Sequence, residues 1–173
     1  MIPPERRRPA ALRFMNLCAA KAVLLFAAVC AAQTQTADPP PQVWLNPGFF
    51  SYHFDRDKSL REDNFGVGAE VILRRDHGLM AGTFLNSDFA RTRYVGYEWR
   101  PLHWQPAGVP VHAGITVSAL DGYPRMRDGG WFLSLLPIVA IEGERLGMNF
   151  TVVPEIEGRL NGAVVIQFKL RVW

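Results

Sequence analysis

The sequence predicts an all-β fold, an eight-stranded antiparallel up-and-down transmembrane β-barrel preceded by a signal peptide. Three observations carry this. Past Trp44 the chain offers about eight strand-like segments separated by turn residues, and eight is the smallest common membrane barrel. Within these segments apolar and polar side chains alternate, and period-two patterning sends successive side chains to opposite sheet faces. No apolar run after Trp44 is long enough for a spanning helix.

The N-terminus reads as an export signal. Arg6, Arg7, Arg8 and Arg13 precede an apolar run from Leu17 to Ala32 that is interrupted only by Lys21, and small residues follow. The unbroken stretch, Ala22 to Ala32, is too short to span a bilayer and lacks a stop-transfer flank, so residues 1–32 are assigned to a removed leader, with cleavage as late as Ala37. Cys30 follows Ala-Ala-Val, with Val where a lipoprotein signal expects a small residue. Of the 19 basic and 16 acidic residues, the leader holds Arg6, Arg7, Arg8, Arg13 and Lys21 against Glu5 alone, together with both cysteines, Cys18 and Cys30. The remainder is near neutral, so the basicity belongs to the leader and argues nothing for nucleic acid, no nucleic-acid partner being expected, and it has no cysteine for a disulfide or a thiolate metal site. Residues 33–46 read as a linker, and residues 47–173 as one domain of ordinary size.

The expected strands run from Gly48 to Asp55, Phe65 to Leu73, Leu79 to Asn86, Thr92 to Arg100, Val109 to Ala119, Trp131 to Ile141, Leu146 to Val153 and Ala163 to Val172. In the first, Phe50, Tyr52 and Phe54 share one face, and Ser51, His53 and Asp55 the other. In the second, Phe65, Val67, Ala69, Val71 and Leu73 oppose Gly66, Gly68 and Glu70. The fifth sets Val111, Ala113, Ile115 and Val117 against His112, Gly114, Thr116 and Ser118. The last alternates Ile166, Phe168, Leu170 and Val172 with Gln167, Lys169 and Arg171. Trp173 falls in phase with the polar set, so an unbroken strand directs it inward and a bulge or fraying near Arg171 turns it outward.

Periodicity alone does not say which face is outside, and a soluble barrel of the lipocalin type needs the reverse arrangement. Composition favours apolar outward. Glu70, Glu98, Arg100 and Arg171 on the polar face are easier to place in a wet, paired lumen than in a dry lipid pocket. Tyr94, Tyr97, Trp99, Trp104 and Trp131 suit interfacial aromatic girdles.

A family resemblance adds to this reading. His77-Gly78-Leu79, Ala81, Phe84 and Ser87, then Gly96-Tyr97, Trp99 and Arg100-Pro101-Leu102, are similar to the central region of the outer-membrane lipid A palmitoyltransferase PagP family. Leu133, Leu135-Leu136-Pro137, Gly147, Thr151 and Pro154 match its later strands. Pro47, His53 and Asp57-Lys58 echo its first strand with a slip of one residue. The matches are scattered but keep a consistent order over most of the chain after Asn46.

The resemblance implies a bacterial outer-membrane enzyme that moves an acyl chain from a phospholipid donor to a lipid A acceptor, without a metal or a diffusible cofactor. Carried onto this chain, its catalytic histidine is His53, its serine is Ser87, and its aspartate position holds Asn86. Ester acyl transfer needs a base and donors for the developing oxyanion. His53 suits the base, Ser87 a nucleophile or a polarising hydroxyl, and Asn86 an amide donor that does not orient an imidazolium as a carboxylate does. Asp88 replaces the carboxylate only if the strand has ended or bulged there. Each residue also has a structural alternative: His53 in a hydrogen-bonded lumen, and Asn86-Ser87-Asp88 as a turn.

The resemblance further implies an acyl pocket reaching to Glu98, and gaps in the barrel wall at Pro137 and Pro154 through which lipid enters. The alternatives are that Glu98 pairs with a lumen arginine and that the prolines only end strands. The reading as an acyltransferase therefore stands beside a non-catalytic, monomeric outer-membrane barrel with a side-chain-filled lumen, and beside a periplasmic lipid-binding barrel. The enzyme requires His53 and Ser87 to meet at one end of a continuous apolar cavity.

Overall fold

The computed structural model describes residues 39–157 and 159–173. The expected leader, with Cys18 and Cys30, lies outside them. The described chain forms β1 (Gln42–His53), β2 (Asp63–Arg74), β3 (His77–Leu85), β4 (Arg91–Trp104), β5 (Val111–Leu120), β6 (Phe132–Glu142), β7 (Leu146–Val153) and β8 (Ala163–Arg171), with short 3-10 turns at Pro106–Gly108 and Arg127–Gly129. Each strand pairs antiparallel with its neighbour in sequence, and β1 pairs with β8 to close the barrel. Closure gives every strand a hydrogen-bonded neighbour on both sides.

The alternation read from the sequence is the alternation of the wall. Phe50, Tyr52, Phe65, Val67, Leu79, Val95, Val117, Leu133, Leu135, Val152, Phe168 and Leu170 are exposed on the outside, whereas Asn46, Ser51, Asn64, Glu70, Glu98, Arg100, Thr116, Ser118, Asn149 and Lys169 are buried inside. That is the reverse of a lipocalin-type carrier. The lumen is narrow enough to require glycine in places. A Cβ at Gly68 would stand 2.2 Å from the Tyr94 hydroxyl, and one at Gly78 would stand 2.7 Å from Glu98 Oε1.

Two features depart from the sequence reading, and a third decides between alternatives it left open. β1 begins at Gln42 rather than Gly48, so the last residues of the expected linker are wall, and Trp44 is fully buried beneath Lys169 and Arg171. Tyr94 belongs to the lumen rather than to an outer girdle, since it lines the internal cavity. Trp173 is exposed: the N–H groups of Val172 and Trp173 both donate to the Val43 carbonyl, which breaks the alternation after β8 and turns the last ring outward.

The two ends of the barrel differ. One, the turn end, carries the short connections 75–76, 105–110 and 143–145, together with the start of β1 and the end of β8. The other, the loop end, carries connections 54–62, 86–90, 121–131 and 154–162. His53 closes β1 at the loop end, and Ser87 lies in the β3–β4 connection at the same end.

Candidate active site

His53 and Ser87 meet. The alternation of β1 turns His53 inward, where it is almost fully buried, and its Nε2 lies 2.9 Å from Ser87 Oγ across the mouth of the lumen. Ser87 is held from two sides. Its carbonyl accepts a hydrogen bond from the Arg61 N–H at 3.1 Å. On the other side, Asn86 Oδ1 accepts from the N–H groups of Asp88 and Ala90, both at 3.0 Å, closing a tight turn around it. Below His53, Ser51 accepts a bond from Asn64 Nδ2 at 2.7 Å, which ties β1 to β2 at this level.

Asn86, expected beside the pair as an oxyanion donor, is placed otherwise. Its amide nitrogen donates to the Gly122 carbonyl at 2.8 Å and to Thr92 Oγ1 at 3.1 Å, and the side chain is fully buried. Both ends of the amide are thus engaged in loop structure. Asp88 does lie in the pocket with His53 and Ser87, but its carboxylate pairs with Arg125 Nη2 at 2.6 Å. His53 Nδ1 is buried without a hydrogen-bond partner among the described residues. The arrangement is a dyad, with no orienting acid on the imidazole.

Beneath the dyad lie two adjoining pockets. A small pocket of about 50 Å³ holds His53, Ser87, Asp88 and Tyr123. Phe49, Tyr123, Val153 and Val165 line both this pocket and a larger, mostly apolar cavity of about 160 Å³ in the loop-end half of the lumen. The walls of the larger cavity include Met80, Phe84, Leu120, Leu136 and Ile138, and its far end reaches Glu70 and Asn149.

Tyr123 was not found by sequence reasoning. It sits in a loop where no periodicity points to it, inside Asp121-Gly122-Tyr123-Pro124. Burial, reinforced by the negative charge of Asp88, pushes its phenol well above the ordinary range, so the hydroxyl keeps its proton. The loop is anchored by Asp121, whose carboxyl is opposed by its own burial but held below the usual range by bonds from the Arg93 side chain and backbone, both at 2.7 Å.

Glu98 does not line the cavity. It lies below the floor in a charged cluster in the turn-end half of the lumen: Lys169 Nζ contacts Glu70 at 2.5 Å and Glu142 at 2.7 Å, and Arg100 contacts Glu142 at 2.6 Å, Glu70 at 3.6 Å and Glu98 at 3.6 Å. Asn149 adds a bond to Glu70 at 2.8 Å. Glu98 is thus the partner of a lumen arginine.

The two prolines have different fates. β6 and β7 pair from Val139–Phe150 down to Glu142–Gly147 and not above, although β6 pairs with β5 and β7 with β8 along their upper lengths. Pro137 stands at the start of this unpaired seam. Its carbonyl accepts the Thr151 hydroxyl at 2.5 Å, so it faces β7. The N–H of a strand residue points the same way as its C=O, and proline has none to give. Pro154 instead follows the last residue of β7, is exposed, and ends the strand.

The fold and the site together define a class, a closed eight-stranded barrel with an apolar exterior and a His–Ser pair over an internal apolar cavity. No family model matches the chain. It is 33% identical over 136 residues to the lipid A acyltransferase PagP of Laribacter hongkongensis (strain HLHK9), a stretch that makes up 73% of this chain and 60% of that protein. The chain thus spans less than two thirds of that relative's length, and the similarity supports a divergent PagP-like protein.

Proposed function

We propose that this chain is an acyltransferase of the bacterial outer membrane, a monomeric barrel that takes an acyl chain from a phospholipid and transfers it to lipid A or a related lipid. The observation that carries the reading is the 2.9 Å contact between His53 Nε2 and Ser87 Oγ at the mouth of an apolar cavity. The exposed apolar girdle suits lipid, and short turns at one end with longer loops at the other follow the periplasmic and extracellular pattern of such barrels. The site then lies at the outer leaflet. The seam beside Pro137 gives the donor's chain a lateral way into the lumen.

The chemistry follows from the pair. With its proton on Nδ1, neutral His53 accepts a hydroxyl proton at Nε2. The resulting oxygen attacks the ester carbonyl, the ester C–O bond breaks, and the proton passes to the departing alkoxide. Two courses fit this geometry: Ser87 attacks first and carries the acyl group as an ester, or Ser87 polarises the carbonyl while the acceptor hydroxyl attacks directly. The neutral phenol of Tyr123, at the throat between pocket and cavity, is placed to donate to the oxyanion.

Mass spectrometry of lipid A from cells with and without the protein tests this. An added acyl mass that is lost in His53→Ala and Ser87→Ala is the expected result. No added mass in any envelope condition leaves the non-catalytic barrel, which the charged lower lumen favours.

A further inference from the structure

Asn86 occupies the position where the resembled family has an acid, yet every polar atom of its side chain is spent on loop structure. Its Oδ1 accepts from the N–H groups of Asp88 and Ala90, and its backbone N–H donates to the Ala90 carbonyl at 2.8 Å, which closes residues 86–90 on themselves. The closure carries strain: Phe89 is forced to φ 61, a region that non-glycine residues seldom occupy, and its ring is left 65% exposed. From the other end, Nδ2 donates to the Gly122 carbonyl, which belongs to the separate β5–β6 loop. Gly122 has φ +81, and a Cβ there would stand 2.0 Å from the Arg91 carbonyl, so the backbone at this junction has no alternative placement for a larger residue. Tyr123 follows directly.

We propose that Asn86 is a positioning residue that joins the two loops of the site, holding Ser87 against His53 and Tyr123 at the throat, and that it must be an amide. This rests on the acyl-transfer reading of the His53–Ser87 pair. Only an amide presents an acceptor to the Asp88 and Ala90 amides and a donor to the Gly122 carbonyl at once. Aspartate keeps the first set and sets a carboxylate oxygen against a carbonyl oxygen at the second. Restoring the acid of the resembled family therefore harms this chain.

The test compares the wild-type barrel in detergent micelles with Asn86→Asp and Asn86→Ala, using ¹⁵N-histidine NMR, backbone amide shifts and acyl-transfer kinetics. In Asn86→Asp the expected result is loss of the His53 Nε2 hydrogen-bond signature and shifts at Ser87, Gly122 and Tyr123, with the amides of β7 and β8 unmoved. Its kcat falls on the order of 10²-fold with KM little changed, as displacement of a reacting group requires. Asn86→Ala, which also loses the turn acceptor, falls at least as far. An Asn86→Asp protein that keeps the signature, or matches or exceeds wild-type turnover, overturns the proposal. If wild type itself transfers no acyl chain, the acyltransferase reading fails, and the NMR comparison still decides whether Asn86 holds the two loops.

Discussion

Toward the turn end the lumen holds Glu70, Glu98, Arg100, Glu142 and Lys169, buried and joined by ion pairs, with the buried Trp44 ring against Lys169. Toward the loop end the same strands enclose a mostly apolar cavity, with His53 and Ser87 in contact in the smaller pocket above it. The same eight strands build both halves; what changes is the inward residues and, between β6 and β7, the pairing. A buried ion cluster is costly to form and costly to break, so it fixes the register of several strands rather than adding much net stability. It also gives the cavity a polar floor at Glu70 and Asn149, against which a hydrocarbon chain must stop. The rigid lower half is thus the support on which an open, reactive upper half can be kept.

Substitutions in the upper half should separate from those in the lower half by what they damage. Ser87→Ala and His53→Ala are expected to lower acyl transfer by roughly 10³-fold or more, while the barrel unfolds at the same urea concentration. A comparable loss of folding would mean that the pair is structural. Arg100→Met acts in the opposite sense. It leaves Glu70, Glu98 and Glu142 with Lys169 as their remaining cluster cation, and an uncompensated buried charge costs about 3–5 kcal/mol. Urea unfolding should show this loss, with transfer per folded molecule little changed. A shift below about 1 kcal/mol would mean that the lower lumen is wetter than its burial implies.

The wall was legible in the sequence because an apolar outer face and a polar inner face impose period two, and Phe65 to Glu70 shows it residue by residue. Where one side chain serves neither solvent the pattern fails: Trp44 is apolar yet internal, stacked under Lys169 and Arg171, and its strand was read as starting at Gly48. Tyr94 misled in the same way, since an amphipathic ring suits a girdle or a crowded lumen equally. The site was less legible. His53 and Ser87 are 34 positions apart, and only the order of the resemblance joined them. Asn86 was recognised as a departure but not as a clamp, because its key partner, the Gly122 carbonyl, is backbone and leaves no mark in the sequence. Tyr123 was missed for a related reason: its place depends on that clamp rather than on any strand.

The smallest effect expected is at the seam, where the two halves differ along a single pair of strands. β6 and β7 are laddered beside the charged cluster and unladdered beside the cavity, and Pro137 sits at the change. Pro137→Ala supplies one N–H facing β7 and so allows the ladder to extend upward by a bond. A net hydrogen bond is worth about 1 kcal/mol, which lowers the population of an open seam by about fivefold at most. If lipid enters here, transfer from a long-chain phospholipid in a bilayer should fall by up to that factor while thermal stability rises slightly. A short-chain donor delivered in detergent, which can reach the mouth from above, should be affected less. Equal loss for both donors would place the entrance elsewhere, and unchanged transfer with raised stability would show that the seam is a gap in hydrogen bonding without being a route.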